Sequence, residues 1–472
     1  MISRKFPFSV LILILASCAF VPLAGCSSNS PFNPAIQQWL WEGGSNTANG
    51  SSSYGTLRTP AASNTPPARQ AATHWSDTNG NLWMFGGMDG TTNGTANNLN
   101  DLWQYGTNVN LWSWQSGSST PNALGVYGTM GTPAAANTPG ARNSSMGWTD
   151  ATGNIWLFGG DGYAASGTVG VLNDLWEFNT TNGLWTWMGG SNTTNAPGSY
   201  GTLGVAAAAN MPSARRSAIT WIDYSGNFWL FGGQNTDANS TQGFLNDLWM
   251  YSPKTGLWTW VGGSNTPNAS GSYGTMGTSA ASNIPGARIS GASWTDGNGN
   301  LWLFGGNGFD STGTQGNLND LWEYNPVFNT WTWVTGASTV GAAGVYGTQG
   351  IYAATNTPGA RMGAVAWSDL SGNLWLFGGY GFDSTGTQGY LNDLWSYNFI
   401  AQHWIWISGS TTANAPGVYG SLNMPGATDT PGGKTNAVGW TDEDGNFWLF
   451  GGQQNSTSGS TAVFNDLWFY QP

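Results

Sequence analysis

The sequence predicts an all-β fold made of six copies of one four-stranded unit. Two strings recur in steps of 73 residues, and a fixed period of this kind is the signature of a repeat architecture. Asn-Asp-Leu-Trp begins at residues 100, 173, 246, 319, 392 and 465, and Phe-Gly-Gly begins at residues 85, 158, 231, 304, 377 and 450. The composition agrees, because 72 glycines and 30 tryptophans in 472 residues are typical of short strands joined by tight turns.

Each repeat is interpreted as four strands, described here for the first copy. Strand A runs from about Gln70 to Ser76, strand B from Leu82 to Phe85, strand C from about Asp101 to Tyr105, and strand D from about Leu111 to Trp114. Strand B is apolar on both faces, which predicts burial between two neighbouring sheets. Strand A is rich in small residues, which suit the crowded centre of a ring. The sequence therefore predicts a six-bladed β-propeller with four antiparallel strands in each blade.

The pattern within each repeat resembles the kelch motif. Apolar strand B, the pair Gly86-Gly87, then Tyr105 and Trp112 carry the resemblance, and all six copies show it. It implies a kelch-type propeller similar to that of galactose oxidase. Kelch units are usually about 50 residues long, and here the additional length lies mainly between strand D and the next strand A. The copper chemistry of galactose oxidase is not implied, because it needs a cysteine-modified tyrosine and residues 35–472 contain no cysteine.

The ring is predicted to close through the N-terminal segment. The last copy ends at Tyr470-Gln471-Pro472 without a Trp-x-Trp strand. An isolated Trp39-Leu40-Trp41 lies 73 residues before the Trp-x-Trp of the first copy. Residues 35–472 thus hold six whole repeats, and we expect the N-terminal segment to supply the outer strand of the last blade.

The first 26 residues are predicted to be a signal peptide. Arg4 and Lys5 precede an apolar run that ends in Leu-Ala-Gly-Cys at Cys26. This ending resembles the lipobox of bacterial lipoproteins, which implies that Cys26 is acylated and anchors the protein to a membrane, with residues 27–34 as a polar tether. Ser27 resembles the residue found there in lipoproteins sorted to the outer membrane, so the expected location is the bacterial cell envelope, at the outer membrane and facing the periplasm or the cell surface. Ordinary cleavage that leaves a free cysteine is the alternative.

The charge and the cysteine content argue against nucleic acid as a partner and against stabilisation by disulfides. Charged residues make up 7% of the chain, the formal net charge is −12, and no basic stripe is present, so nucleic acid is not an expected partner. Cys18 falls within the predicted signal peptide, which leaves the mature chain without an internal disulfide. A monomer stabilised by a large core is expected.

One basic and one acidic residue recur in every repeat, both at the end of the ring that carries the long loops. They are interpreted as structural ion pairs within one blade or between neighbours; an anion-binding collar at the channel mouth is the alternative. The basic residues are Arg69, Arg142, Arg215, Arg288, Arg361 and Lys434, and the acidic residues are Asp101, Asp174, Asp247, Asp320, Asp393 and Asp466.

Each long loop between strand D and the next strand A contains one tyrosine, before a glycine. One interpretation is that the rings pack these loops onto the propeller. The other is that six tyrosines on the long-loop face bind a repeating glycan or a protein, because tyrosine combines a flat apolar ring with a polar tip. The six are Tyr54, Tyr127, Tyr200, Tyr273, Tyr346 and Tyr419.

No catalytic constellation, cofactor site or metal site is predicted. The two histidines, His74 and His403, lie in different repeats, and neither has a partner at metal-ligand spacing. A recurring Asp-x-x-Gly-Asn string, first at Asp77, predicts a tight hairpin turn, and calcium binding there stays open. Two function classes remain. The preferred one is a binding scaffold for an extracellular glycan or protein through the long loops; the other is a polysaccharide hydrolase or lyase with its site in the central funnel.

Overall fold

The computed structural model describes residues 37–90, 96–236, 242–455 and 461–472. The predicted signal peptide and tether, with Cys26, lie outside the described residues. Within those ranges the chain contains strands and no helix. The main strands form six antiparallel sheets, each in the order A, B, C, D, which confirms the predicted six-bladed β-propeller, and two small two-stranded sheets accompany them.

The strands of each kind recur at equivalent positions. The A strands are Thr73–Ser76, Met146–Thr149, Ile219–Ile222, Ala292–Thr295, Val365–Ser368 and Val438–Thr441. The B strands are Leu82–Phe85, Ile155–Tyr163, Phe228–Thr236, Leu301–Phe309, Leu374–Phe382 and Phe447–Phe450. The C strands are Leu102–Gly106, Val169–Asn179, Gln242–Ser252, Gln315–Asn325, Gln388–Asn398 and Leu467–Tyr470. The D strands are Leu111–Ser116, Leu184–Gly189, Leu257–Gly262, Thr330–Thr335, His403–Ser408 and Trp39–Gly43.

Short strands flank the blades at the end that carries the long loops. Five precede the A strands, namely Arg69–Gln70, Arg142–Asn143, Arg215–Arg216, Arg288–Ile289 and Arg361–Met362. Three more lie in the first and last repeats, namely Met88–Asp89, Gln453–Asn455 and Thr461–Val463.

The connection from strand B to strand C is a β-ribbon in the second to fifth blades, where the sequence predicted a loop. The ribbon bends at the glycine pair, because the register shifts between Phe158 and Gly160. Gly159 has a φ of +61°, and a Cβ there would lie 2.8 Å from the carbonyl oxygens of Arg215 and Leu172. Only glycine fits both the conformation and the close approach of the neighbouring blade.

The N-terminal strand closes the ring as predicted. Trp39–Gly43 pairs antiparallel with Leu467–Tyr470, with Trp39 opposite Tyr470 and Trp41 opposite Trp468. The Trp39 ring packs 5.2 Å from Phe377 in the preceding blade. The two ends of the propeller therefore share one sheet, which leaves no unpaired edge at the junction.

Apolar clusters between adjacent blades form the core. One cluster joins Trp148 and Phe158 of the second blade to Trp249, Tyr251 and Trp258 of the third. Five A-strand indoles also donate a hydrogen bond to a B-strand carbonyl of the next blade. The pairs are Trp75 to Trp156, Trp148 to Trp229, Trp221 to Trp302, Trp294 to Trp375 and Trp440 to Trp83.

A closed ring of backbone hydrogen bonds joins the six blades around the axis. In each blade, the N–H of the second residue after the repeated Arg or Lys donates to the carbonyl of its counterpart in the preceding blade, with N···O distances of 2.8–3.0 Å. All six residues have a positive φ, which turns the N–H along the ring. They are Ala71, Ser144, Ser217, Ser290, Gly363 and Asn436. This ring of hydrogen bonds is called the axial ring below.

The long D–A loops cover the outer edges of the blades. Each loop crosses to the next blade and donates a backbone N–H to a carbonyl of its D strand. The donors are Arg58, Gly131, Gly204, Gly277, Gly350 and Asn423, and their acceptors are Trp114, Trp187, Trp260, Trp333, Trp406 and Trp41. Unpaired strand edges promote association between chains. The length of the D–A loop therefore protects an edge.

Candidate ligand-binding site at the channel mouth

The repeated charges form six buried ion pairs, each within one blade. In the fourth blade Arg288 donates from both terminal nitrogens to Asp320, at 2.8 Å each, and also to the carbonyls of Gly286 and Gly305. The shortest N···O distances of the six pairs are 2.6–2.8 Å, and the side chains are 0–1% exposed. The structure therefore shows ion pairs within one blade, rather than pairs between neighbouring blades or an anion-binding collar.

In each pair, the aspartate carboxylate compensates the positive charge of the buried Arg or Lys. Burial by itself would lower the pKa of the Arg288 guanidinium, and attraction to Asp320 more than offsets this, so the pKa lies above its ordinary value. Lys434 replaces arginine in the last blade and holds Asp466 through one ammonium, at 2.8 and 3.0 Å. None of these side chains faces the channel as a free cation for an anionic ligand.

The six tyrosines predicted as a binding surface lie underneath the long loops. Their hydroxyls donate to the aspartates of the ion pairs at 2.6–2.9 Å: Tyr54 to Asp101, Tyr127 to Asp174, Tyr200 to Asp247, Tyr273 to Asp320, Tyr346 to Asp393 and Tyr419 to Asp466. Tyr127 is 5% exposed, and its ring packs between Trp176 and Trp187. Burial, and then the nearby Asp174, raise the pKa of its hydroxyl. This placement matches the packing interpretation, and it leaves little ring surface for a ligand.

The Asp-x-x-Gly-Asn turns use their carboxylates within the fold. Asp296 accepts the backbone N–H of Asn298 and Asn300 on one oxygen, and the Trp302 indole on the other. The same indole bond recurs in the other five turns, at Asp77, Asp150, Asp223, Asp369 and Asp442. In the part of the chain that the structure describes, no group of three or more His, Cys, Asp or Glu side chains is placed to hold a metal ion.

Between the axial ring and the tight-turn face, the central channel contains a cavity of about 420 Å³. A-strand residues line it, among them His74, Thr149, Ser293 and Thr441. Water reaches the His74 ring in the channel, but protein surrounds it. The resulting desolvation lowers its pKa to about 4, against a smaller opposing effect of a hydrogen bond to the Ala72 backbone. The imidazole is therefore neutral at neutral pH.

Six cross-strand pairs encircle the axis on the long-loop side of the axial ring, and we call them the mouth. Each pair joins the residue after the repeated Arg or Lys to a residue just beyond the glycine pair. Although their backbone positions are equivalent, the six pairs differ in sequence. They are Gln70–Met88, Asn143–Asp161, Arg216–Gln234, Ile289–Asn307, Met362–Tyr380 and Thr435–Gln453.

One side of the mouth is polar. Arg216 of the third blade donates to Asp161 of the second and to the side-chain carbonyl of Gln234. The side chains of this ion pair are 32% and 25% exposed, unlike those of the buried pairs. Asn143 donates to Asn98 of the first blade. The polar groups already hold one another in place, which favours a preformed binding surface.

The fourth and fifth blades add apolar and aromatic side chains to the mouth. In the fifth blade, Tyr380 lies in the Met362 pair and packs edge to face on Tyr390, with ring centroids 5.2 Å apart. Ile289 of the fourth blade is also partly exposed. The ligand that suits such a mouth offers both hydrogen-bonding groups and apolar surface.

No protein-family model matches the chain, and no curated protein matches it. Among the described residues, no helix is long and apolar enough to cross a membrane. The fold shown is a six-bladed β-propeller.

Proposed function

We propose that this protein is an exported, lipid-anchored propeller that binds an extracellular glycan at its mouth. The observation that carries the proposal is the variation of the mouth. The Arg–Asp–Tyr network holds each blade and is nearly invariant across the repeats, whereas the six adjacent pairs differ in charge, size and polarity. Because the blades share one backbone geometry, the fold does not require these differences. They are expected where a surface is complementary to an asymmetric ligand.

The chemistry of the mouth favours a neutral glycan. Amide side chains and a compensated Arg216–Asp161 pair offer donors and acceptors with little net charge. Tyr380 adds an apolar ring face with a hydroxyl, a combination suited to wet interfaces. A sugar presents hydroxyl groups at its edge and C–H groups on its face, so it can contact the polar and the apolar residues of the mouth at once.

Tyr380→Ala is expected to weaken binding about tenfold, the factor that a loss of 1.4 kcal/mol produces. A glycan array on the soluble protein identifies the ligand, and calorimetry with the best hit measures the change. Tyr224→Ala is the matched control, because Tyr224 is 69% exposed in a turn on the opposite face. Equal affinities of both variants and the wild type would reject the mouth as the site.

The same experiment separates the alternatives. Conversion of the bound glycan to product, detected by chromatography, would favour the hydrolase or lyase. A protein ligand captured at the mouth in place of a glycan would keep the scaffold function and change the ligand class.

We also infer that the repeats are of the kelch type and that Cys26 carries the lipid. The kelch inference is supported by the glycine pair at the bulge and by the tryptophan on each D strand. The apolar run, the Leu-Ala-Gly-Cys string and Ser27 support a lipoprotein sorted to the outer membrane.

Cys26→Ser is expected to move the protein from the membrane fraction to the soluble fraction, or to leave the precursor uncleaved, because no thiol remains to be acylated. Fractionation and intact-mass spectrometry measure the outcome. Cys18→Ser is the control, since Cys18 lies within the predicted signal peptide. An unmodified Cys26 in the wild-type mature protein would refute the anchor.

A further inference from the structure

The face opposite the mouth carries the tight turns, and its four most exposed large apolar side chains lie in turns of the fourth and fifth blades. The A–B and C–D turns share this face, because strand direction alternates within a blade. Val327 and Phe328 form the tip of the C–D turn in the fourth blade, and Leu370 and Ile400 lie in two turns of the fifth. They are 82%, 74%, 81% and 97% exposed.

The fold does not need these apolar side chains. The backbone N–H groups of Val327 and Phe328 both donate to Asn325. In the second blade the same turn forms with polar residues at the tip: the N–H groups of Thr181 and Asn182 donate to Asn179. A turn that forms with Thr-Asn therefore carries Val-Phe for another reason, and clustered exposed apolar residues mark interaction sites.

The described chain begins on this face, beside these turns. Strand Trp39–Gly43 starts at the end of the blade where strand C finishes, at Tyr470. Gln37 lines one cavity together with Asp369 and Asn373, the residues that bracket the Leu370 turn. Ten residues separate Cys26 from Gln37, and a chain of that length spans at most about 40 Å even when fully extended. An anchor on Cys26 would hold the tight-turn face close to the membrane.

We propose that the exposed tips of the fourth and fifth blades insert into the lipid surface, so that the mouth faces away from the membrane. This orientation rests on the proposed acylation of Cys26. The tips themselves carry no charge, whereas the corresponding turns elsewhere include Lys254 and the Glu443-Asp444 pair. Because the inserted tips are uncharged, they need no anionic lipid, and zwitterionic lipid suffices as the partner.

The test places one fluorescent probe at a time on the lipidated full chain. Residues 35–472 contain no cysteine, so Ile400→Cys or Phe328→Cys gives a unique thiol for an environment-sensitive dye. In vesicles of phosphatidylethanolamine and phosphatidylcholine, both labels are expected to shift to the blue and to be quenched by spin-labelled lipid. The control Leu203→Cys, 54% exposed on a D–A loop, should keep its aqueous spectrum. Identical spectra at all three sites would overturn the proposal.

Two further variants make the result specific. Val327→Thr with Phe328→Asn installs the turn of the second blade, and it should reduce the quenching at position 400 at least twofold without changing the melting temperature. Unchanged quenching would contradict insertion of this turn. A blue shift at position 400 without vesicles would indicate self-association, and it would also overturn the lipid as partner.

Failure of the anchor can be distinguished from failure of docking. If Cys26 proves unmodified, a histidine tag in place of residues 1–36 can hold the propeller on nickel-chelating lipid. Quenching at position 400 in that arrangement would support docking although the acylation had failed. An aqueous spectrum there would refute docking independently of the lipid anchor.

Discussion

Asp320→Ala is expected to lower the free energy of unfolding by about 3–5 kcal/mol, the cost of breaking a buried ion pair. The variant leaves the Arg288 guanidinium buried without its counter-charge. It also removes the acceptor of the Tyr273 hydroxyl, at 2.6 Å, and of the Trp322 indole, at 2.7 Å. Urea denaturation of the soluble protein, followed by tryptophan fluorescence, measures the loss.

A double-mutant cycle tests whether the effect belongs to the pair. Arg288→Ala combined with Asp320→Ala should destabilise by clearly less than the sum of the single changes, because the second change removes the charge that the first left unpaired. Arg288→Ala with Asp174→Ala, two blades away, is the matched control and should be additive within about 0.5 kcal/mol. Additivity in both cycles would show that the pair is not an energetic unit.

Arg288→Lys reproduces the last blade, where Lys434 holds Asp466. One ammonium cannot replace the two parallel bonds to Asp320 together with the bonds to Gly286 and Gly305. We therefore expect a loss of stability between those of the wild type and Arg288→Ala. Melting temperatures of the three proteins check this order, and a lysine variant as unstable as the alanine variant would contradict it.

The blades and the closure of the ring could be predicted because they depend on repeated side chains. A period of 73 fixes equivalent positions, apolar strand B fixes which strand is buried, and Trp39 fixes the strand that completes the last blade. Each of these signals comes from large apolar or aromatic side chains, which are stable only when they are buried in the core.

The course of the D–A loops could not be predicted, because backbone groups determine it. Gly131 donates its N–H to the Trp187 carbonyl, and a backbone donor of this kind leaves no side-chain signal of its partner in the sequence. The burial of the tyrosines could not be predicted for a related reason. Tyr273 donates to an aspartate 47 residues away on the next blade, and no local sequence pattern indicates a contact over that separation. Its constant occurrence together with the Arg and the Asp was the available signal for a shared network.

The mouth was missed because departures from the repeat are conspicuous mainly when they involve histidines or charges, and most mouth residues are neutral. Its signal is a single variable position: the residue after each repeated Arg or Lys is Gln70, Asn143, Arg216, Ile289, Met362 or Thr435. In a chain of near-identical blades, positions that vary beside an invariant network are candidates for function. Only the axial ring, formed by backbone hydrogen bonds, shows that these six positions meet around one opening.

Deletion of Trp39–Gly43 is expected to have the largest effect on the whole propeller. The loss of buried Trp39 alone, 3% exposed, costs about 3–5 kcal/mol. The deletion also exposes the edge of Leu467–Tyr470 and uncovers the aromatic cluster with Phe377 and Trp468. An unpaired apolar edge is a site of association. We expect a lower melting temperature, and oligomers in light scattering after size exclusion.

Deletion of residues 28–32 removes the same length of chain before the strand, so it is the matched control and should leave both measurements unchanged. A monodisperse monomer that melts like the wild type would show that the ring does not depend on its N-terminal strand.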